Sequence, residues 1–164
     1  MSFSNAPLLT ADVRAEIDRH LAKYPPEWKQ SAIMPALTIV QDDHGGWLSR
    51  ELLDEIAAYL DVPAIAVYEV ATFYGMYDLE PVGRHKICVC NSISCLLSGS
   101  EELITHIQRK YGVAPGETTA DGKFTFKEFE CLGACKDAPV AMVDKTYAER
   151  LTPDDFDRLV EGLD

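Results

Sequence analysis

Four of the five cysteines fall into two close pairs, a spacing that suits a metal centre. Cys90 and Cys95 are separated by four residues, Cys131 and Cys135 by three, and thirty-five residues lie between the pairs. Thiolates are soft ligands that select zinc, copper(I) or iron with inorganic sulfide. Four of them are a complete ligand set for a structural zinc ion or for a two-iron, two-sulfide (2Fe–2S) cluster.

The lengths of the spacers distinguish these metals. Structural zinc sites favour two-residue spacers, although spacers of up to four residues occur, in modules smaller than this chain. In a 2Fe–2S cluster, one local pair for each iron is a simple way to supply four thiolates, and longer spacers let the chain fold around the sulfides. Gly133 and Ala134 are small enough for backbone N–H groups to approach a sulfur atom. The spacing favours a 2Fe–2S cluster, with zinc, redox-active thiols and inert cysteines as open alternatives.

The fifth cysteine, Cys88, complicates this set. Cys88 and Cys90 would point to the same face of a β-strand, so one of the two is left over. We expect the extra one to be Cys88, because it sits between Ile87 and Val89 in the strand and a free cysteine there is usually buried. Cys90 lies at the strand end, where a loop can close on Cys95.

The elements that position the cysteines differ between the two halves of the chain. Apolar periodicity and capping residues predict four helices in the first half: from Thr10 to Leu21, from about Glu27 to Gln41 with a kink at Pro35, from Ser49 to Leu60, and from Asp61 to Tyr74 with Pro63 in its first turn. The pattern breaks at residues 78–83. We therefore predict an N-terminal four-helix bundle over residues 1–80 and a second domain over residues 81–164.

The second half alternates between strand and helix patterns. Strands are predicted over 85–90, 124–129, 139–143 and 146–149, with helices over 99–111 and after Thr152. The order β, α, β, β, β, α predicts a compact α/β domain, so the fold class is helical bundle plus α/β. The Ala138–Pro139 bond precedes an apolar strand, and its cis and trans forms are both open.

Composition and charge exclude several function classes. Fifteen Lys and Arg against 27 Asp and Glu give a net charge of −12, which argues against nucleic acid or an anionic membrane as a partner. No apolar run approaches the roughly 20 residues needed to span a bilayer. Residues 1–10 lack the pattern of a secretory signal, so we expect a cytoplasmic protein whose thiols are reduced or metal-bound.

Nucleotide and histidine chemistry also find no support in the sequence. No Gly-rich phosphate loop follows a predicted strand, so we expect no dinucleotide or flavin site on this chain. The four histidines are scattered without metal-ligand spacing: His20, His44, His85 and His106. The aromatic run 73–77 is open to two interpretations, contact with a partner protein or packing in the core.

Several segments of the chain, taken together, resemble the thioredoxin-like 2Fe–2S subunit of bacterial NADH:quinone oxidoreductase, respiratory complex I. The resemblance rests on the stretch from Cys90 to Leu103, on Glu130-Cys-Leu-Gly-Ala-Cys-Lys-Asp-Ala-Pro139, on Pro115-Gly116-Glu117 to Asp121-Gly122, and in the first half on Tyr24-Pro25-Pro26, residues 32–37 and residues 70–74. It covers nearly the whole chain, and the combination of segments is specific where each alone would be weak.

The resemblance implies a thioredoxin-like C-terminal domain with one 2Fe–2S cluster held by Cys90, Cys95, Cys131 and Cys135. Cys88 is not at a ligand position of that family. The implied chain is a non-catalytic electron carrier that exchanges single electrons with the FMN of a partner subunit, which also binds NADH. It would lie on the cytoplasmic side of the inner membrane through the complex, without inserting into the membrane. The alternative is the equivalent small subunit of an NAD-dependent formate dehydrogenase or hydrogenase.

Overall fold

The computed structural model describes residues 8–164, and the chain divides into two compact units, Met1–Pro81 and Val82–Asp164. The expectation about a secretory signal rests mainly on residues 1–7, which lie outside the described part. Among the described residues, no helix combines the length and apolar character that crossing a membrane requires.

The first unit is helical. Its elements are α1 (Ala11–Leu21), a 3-10 helix (Pro26–Ala32), α2 (Ile33–Asp43), α3 (Arg50–Leu60) and α4 (Ala64–Phe73). These helices bury one shared apolar core, which includes Ile17, Leu37 and Ile56. The predicted caps of α1 and α3 are confirmed, because the side chains of Thr10 and Ser49 accept backbone hydrogen bonds from the first turn of each helix.

The prediction of one kinked helix over residues 27–41 was wrong. A 3-10 helix ends at Ala32, with non-helical dihedral angles at Trp28, and α2 begins only at Ile33. Pro35 therefore falls in the first turn of α2, where a backbone N–H has no intrahelical partner and its loss costs no hydrogen bond. Pro63, expected in the first turn of α4, instead precedes that helix as its N-cap.

Different residues of the aromatic run 73–77 fit the two interpretations, surface contact and core packing. Phe73, Tyr74 and Met76 are exposed, whereas only 5% of Tyr77 is exposed. The Tyr77 hydroxyl donates a hydrogen bond to the carbonyl oxygen of Met34 at 2.9 Å. Tyr77 thus belongs to the helical core, and the residues before it form part of the surface of the first unit.

The second unit contains a four-stranded mixed sheet in the order β2-β1-β3-β4. Its elements are β1 (His85–Cys90), α5 (Ile93–Leu97), α6 (Ser100–Tyr111), β2 (Phe124–Phe129), a 3-10 helix (Cys135–Asp137), β3 (Ala141–Val143), β4 (Thr146–Ala148) and α7 (Pro153–Glu161). β1 and β2 are parallel, whereas β3 is antiparallel to both β1 and β4. The predicted order of strands and long helices is confirmed; α5 and the 3-10 helix were not predicted.

The helices α6 and α7 cover one face of this sheet. Ile87 and Val89 of β1 share a core with Ile107 of α6 and Phe156 of α7. Because side chains alternate along a strand, Cys88 and Cys90 point to the opposite face. The cysteines of β1 are therefore separated from the main core of the second unit by the sheet itself.

The outer edge of β2 is covered by the loop that precedes it. The N–H of Gly116 donates to the carbonyl of Phe126 at 2.7 Å, and the N–H of Phe126 donates to Glu117 at 2.9 Å. The N–H of Thr119 donates to Phe124 at 2.9 Å. The segment between α6 and β2, for which no strand was predicted, thus pairs its backbone with the edge strand.

Candidate metal centre

The sheet topology brings the two cysteine pairs to one end of the second unit. Cys90 is the last residue of β1, and Cys131 follows the end of β2. Since β1 and β2 are parallel, their carboxyl ends meet at the same end of the sheet. β3 is antiparallel to β1, so the segment leading into it starts there as well, and the N–H of Cys90 donates to the carbonyl of Val140 at 3.0 Å.

The four thiols differ in their exposure. Cys90 and Cys95 are 2% and 1% exposed and share a small apolar cluster with Leu132 and Val140. Cys131 and Cys135 are exposed. None of the five cysteines, all of which lie within the described residues, forms a disulfide. The site is thus a pair of buried thiols next to a loop that presents two accessible ones.

The pKa of Cys95 is affected by a thiol from each pair. Burial raises the pKa of the Cys95 thiol, and neighbouring Cys90 and Cys135 raise it further, while a hydrogen bond with the backbone of Val140 acts in the opposite direction. A buried thiolate is therefore unfavourable here without a positive charge beside it. A metal supplies that charge, because thiols bind metals in their deprotonated form.

The donor set has the number and type of ligands that a binuclear centre takes. A 2Fe–2S cluster spreads four cysteine ligands over two irons. Two buried thiols and two exposed thiols at one end of a sheet provide the ligand number and type for such a cluster.

Cys88 lies two residues before Cys90, in the paired middle of β1. It is 2% exposed and lies between Lys127 of β2 and Met142 of β3 in the sheet. Its burial matches the expectation from the sequence. Its exclusion from the ligand set stays a prediction.

Backbone geometry shapes the loop that holds the second pair. Gly133, midway between Cys131 and Cys135, has a φ of 75°, a left-handed conformation that favours glycine. The Ala138–Pro139 peptide bond is cis. Tyr147 of β4, which the sequence placed only in a predicted strand, donates a hydrogen bond from its hydroxyl to the carbonyl of Leu132 at 2.7 Å.

The four histidines lie outside this group of thiols, each beside partners of its own. His85 and His106 contact Asp144 and Asp157, both at 2.9 Å. His44 lies 2.9 Å from the carbonyl oxygen of Leu8, and His20 lies 3.7 Å from Glu16. Their surroundings are those of structural and surface histidines.

Comparison with known proteins identifies what this chain resembles. Residues 17–164 match the family described as Thioredoxin-like [2Fe-2S] ferredoxin. A Rickettsia bellii protein, named as a subunit of NADH-quinone oxidoreductase, is 43% identical over 143 residues, which cover 87% of this chain and 86% of that protein. A Rhizobium meliloti protein, also named as a subunit of NADH-quinone oxidoreductase, is 46% identical over 151 residues, which cover 92% and 88%.

A solved structure has a similar fold. The NAD+-reducing [NiFe]-hydrogenase in the H2-reduced state aligns with a TM-score of 0.65 and 23% sequence identity. The alignment covers 76% of this chain and 21% of that chain. At this identity the likeness concerns the fold alone.

Proposed function

Since the chain belongs to the thioredoxin-like [2Fe-2S] ferredoxin family, we propose that it is an electron-transfer subunit of an NADH-quinone oxidoreductase. The observation that carries this proposal is the meeting of two thiol pairs at one end of the sheet, in a chain of this family. The names of the relatives from Rickettsia bellii and Rhizobium meliloti support the choice of complex.

The ligands in this proposal are Cys90, Cys95, Cys131 and Cys135, which together hold one 2Fe–2S cluster. Such a cluster accepts and returns one electron at a time. Cys90 and Cys95 supply the buried side of the site, where Leu132 and Val140 exclude water. The other two thiols close the site from the exposed loop. No residue of the chain needs to act as an acid, a base or a nucleophile, so its role in the enzyme is that of a carrier.

The proposed partner is the subunit of the same complex that binds FMN and NADH. The absence of a nucleotide-binding motif in this sequence supports placing both molecules on another chain. Ile93, Leu96 and Leu97 of α5 are 71%, 45% and 83% exposed and flank Cys95 in the sequence. Exposed apolar side chains beside a redox site suit contact with a partner protein. Through that partner the chain would work on the cytoplasmic side of the inner membrane, without inserting into it.

A second candidate is the equivalent small subunit of an NAD-dependent hydrogenase or formate dehydrogenase. The similar fold of the NAD+-reducing [NiFe]-hydrogenase favours keeping it. Purification of the native complex separates the two: co-purification with quinone-reducing activity supports the first proposal, and hydrogen- or formate-dependent NAD+ reduction supports the second.

The test of the cluster is chemical analysis of the whole chain and of five Cys→Ser variants. We expect about two iron and two sulfide per chain and a red-brown visible spectrum. Replacing any of the four proposed ligands should lower the iron content, whereas Cys88→Ser, the matched control, should retain it. A colourless protein containing zinc would contradict the cluster. Full iron in Cys90→Ser together with loss in Cys88→Ser would exchange those two roles.

A further inference from the structure

The segment between β2 and β3 has to cross the end of β1, because β1 lies between those strands in the sheet. This crossing segment contains Cys131 and Cys135, and both are exposed. Leu132 is its buried residue next to the first thiol, 7% exposed and packed against Cys90, Cys95 and Val140. The packing of the Leu132 side chain against these buried residues therefore holds the crossing segment against the end of the sheet.

Tyr147 contacts the same residue from β4, the strand at the far edge of the sheet. It lies opposite Met142 in the β3–β4 pair, and Met142 lies opposite Cys88 in the β1–β3 pair. Residues directly opposite in a sheet point to the same face, so Tyr147 is on the face that carries Cys90. β2 and β4 are at opposite ends of the strand order. The hydrogen bond from Tyr147 to Leu132 therefore links the segment that leaves one edge strand to the other edge strand.

We propose that Tyr147 is a positioning residue for the metal centre, which holds Cys131 and Cys135 in place through the carbonyl of Leu132. This inference rests on the proposed function, since it assigns Tyr147 a role toward the proposed cluster. The Leu132 carbonyl belongs to the residue directly after Cys131, so fixing it restricts the backbone at the first exposed thiol. The apolar side chain and the carbonyl of Leu132 are thus anchored by different elements, the side chain by the buried thiols and the carbonyl by β4.

The rigidity of the anchor follows from the tyrosine side chain. A phenol is carried by a planar ring with two side-chain torsions, so little conformational freedom is lost when it is ordered. Tyr147 is 49% exposed, so its side chain is not part of a packed core. Loss of the hydroxyl should therefore loosen the segment without unfolding the domain.

The test compares Tyr147→Phe, which keeps the ring and removes the hydroxyl, with the wild-type full chain. Both proteins are loaded with cluster, and the decay of visible absorbance is followed in excess iron chelator. We expect about a two- to tenfold faster decay in Tyr147→Phe, the range that corresponds to one net hydrogen bond. The electron paramagnetic resonance spectrum of the reduced protein should also change, because the geometry at the cysteine ligands becomes less restricted.

Tyr111→Phe is the matched control. The Tyr111 hydroxyl donates to Asp157 at 2.8 Å between α6 and α7, on the covered face of the sheet. Its removal should lower the urea midpoint of unfolding and leave the rate of cluster loss unchanged. A third variant, Tyr147→Leu, removes ring and hydroxyl together and separates packing from hydrogen bonding.

Three results would overturn the inference: an unchanged decay rate in both Tyr147 variants, an equal acceleration in Tyr147→Phe and Tyr111→Phe, or acceleration only in Tyr147→Leu. The first removes any role in holding the cluster, the second reduces the effect to general stability, and the third assigns it to the ring. A wild-type chain that binds no iron and sulfide would instead refute the proposed function, so the two failures are distinguishable.

Discussion

Asp157 connects α6 and α7 through three hydrogen-bonding partners, and Asp157→Asn tests how much that contact stabilises the second unit. One carboxylate oxygen accepts from His106 Nε2 at 2.9 Å and from the Tyr111 hydroxyl at 2.8 Å. The other lies 2.7 Å from Lys110 Nζ. The Asp157 side chain is 16% exposed. Asparagine keeps the shape of the side chain and removes the negative charge that these three groups contact.

The pKa of Asp157 sets the expected magnitude. Desolvation raises this pKa, but hydrogen bonds from Lys110, His106 and Tyr111 outweigh it and hold the value at about 2, against 3.8 ordinarily. A fall of that size corresponds to roughly 2.4 kcal/mol of folding free energy. The carboxylate lies near the surface and is partly screened by solvent, so we expect Asp157→Asn to cost roughly 1 to 2 kcal/mol at pH 7.

The pH dependence gives the prediction its sign. The pKa of Asp157 is lower in the folded chain than in the unfolded chain, so the folded state binds the proton less tightly. Its contribution is therefore fully present above about pH 4 and is lost as the pH falls toward 2. The difference in stability between wild type and Asp157→Asn should shrink over that window and approach zero below it.

Urea unfolding followed by circular dichroism measures this difference at pH 7 and at successively lower pH. Iron-free protein is used throughout, so that acid release of iron does not contribute. Glu161→Gln removes the same charge from the exposed end of α7 and should change stability by less than about 0.5 kcal/mol. A loss in Asp157→Asn that stays constant from pH 7 to pH 2 would show that packing, and not the charge, accounts for the effect.

Two further predictions concern the frame around the site. A Cβ at Gly83 would lie 2.9 Å from backbone atoms of Phe124, so Gly83→Ala should destabilise the chain by about 1 to 3 kcal/mol. The control is Gly162→Ala, which should be neutral because Gly162 has a φ of −82° and its nearest contact would be at 3.5 Å. Equal melting temperatures for the two variants would contradict this prediction. Thr152→Ala removes a capping box with Asp155 at the start of α7 and should lower stability by about 1 kcal/mol in thermal unfolding; an unchanged melting temperature would mean that water replaces the cap.

Local signals in the sequence predicted most of the elements around the site. Alternation over 85–90 and 124–129 matches the bounds of β1 and β2, and Thr152 before Pro153, the first residue of α7, marks the start of that helix. These signals work because capping and side-chain alternation depend on neighbouring residues. The helix α5 escaped prediction because its five residues are too few for a periodic pattern, and they lie where a loop between two thiols was expected.

Features that depend on sheet order were not predictable in the same way. The role of Tyr147 requires that β4 lie at the edge opposite β2 and that its register place Tyr147 opposite Met142. Neither fact leaves a local trace in the sequence. The start of α2 at Ile33 was missed because the prediction joined the apolar spacing of residues 33–40 to the residues from about Glu27, which form a separate 3-10 helix.

The covered edge of β2 bears on how the chain avoids aggregation before it binds iron. A second chain that tried to extend the sheet at Phe124 and Phe126 would first have to displace their bonds to Thr119, Glu117 and Gly116. At the opposite edge β4 is three residues long, too short to template a long intermolecular ladder. Both sheet edges thus resist fibril-like association, so the second unit is protected from edge-to-edge aggregation before a cluster is bound.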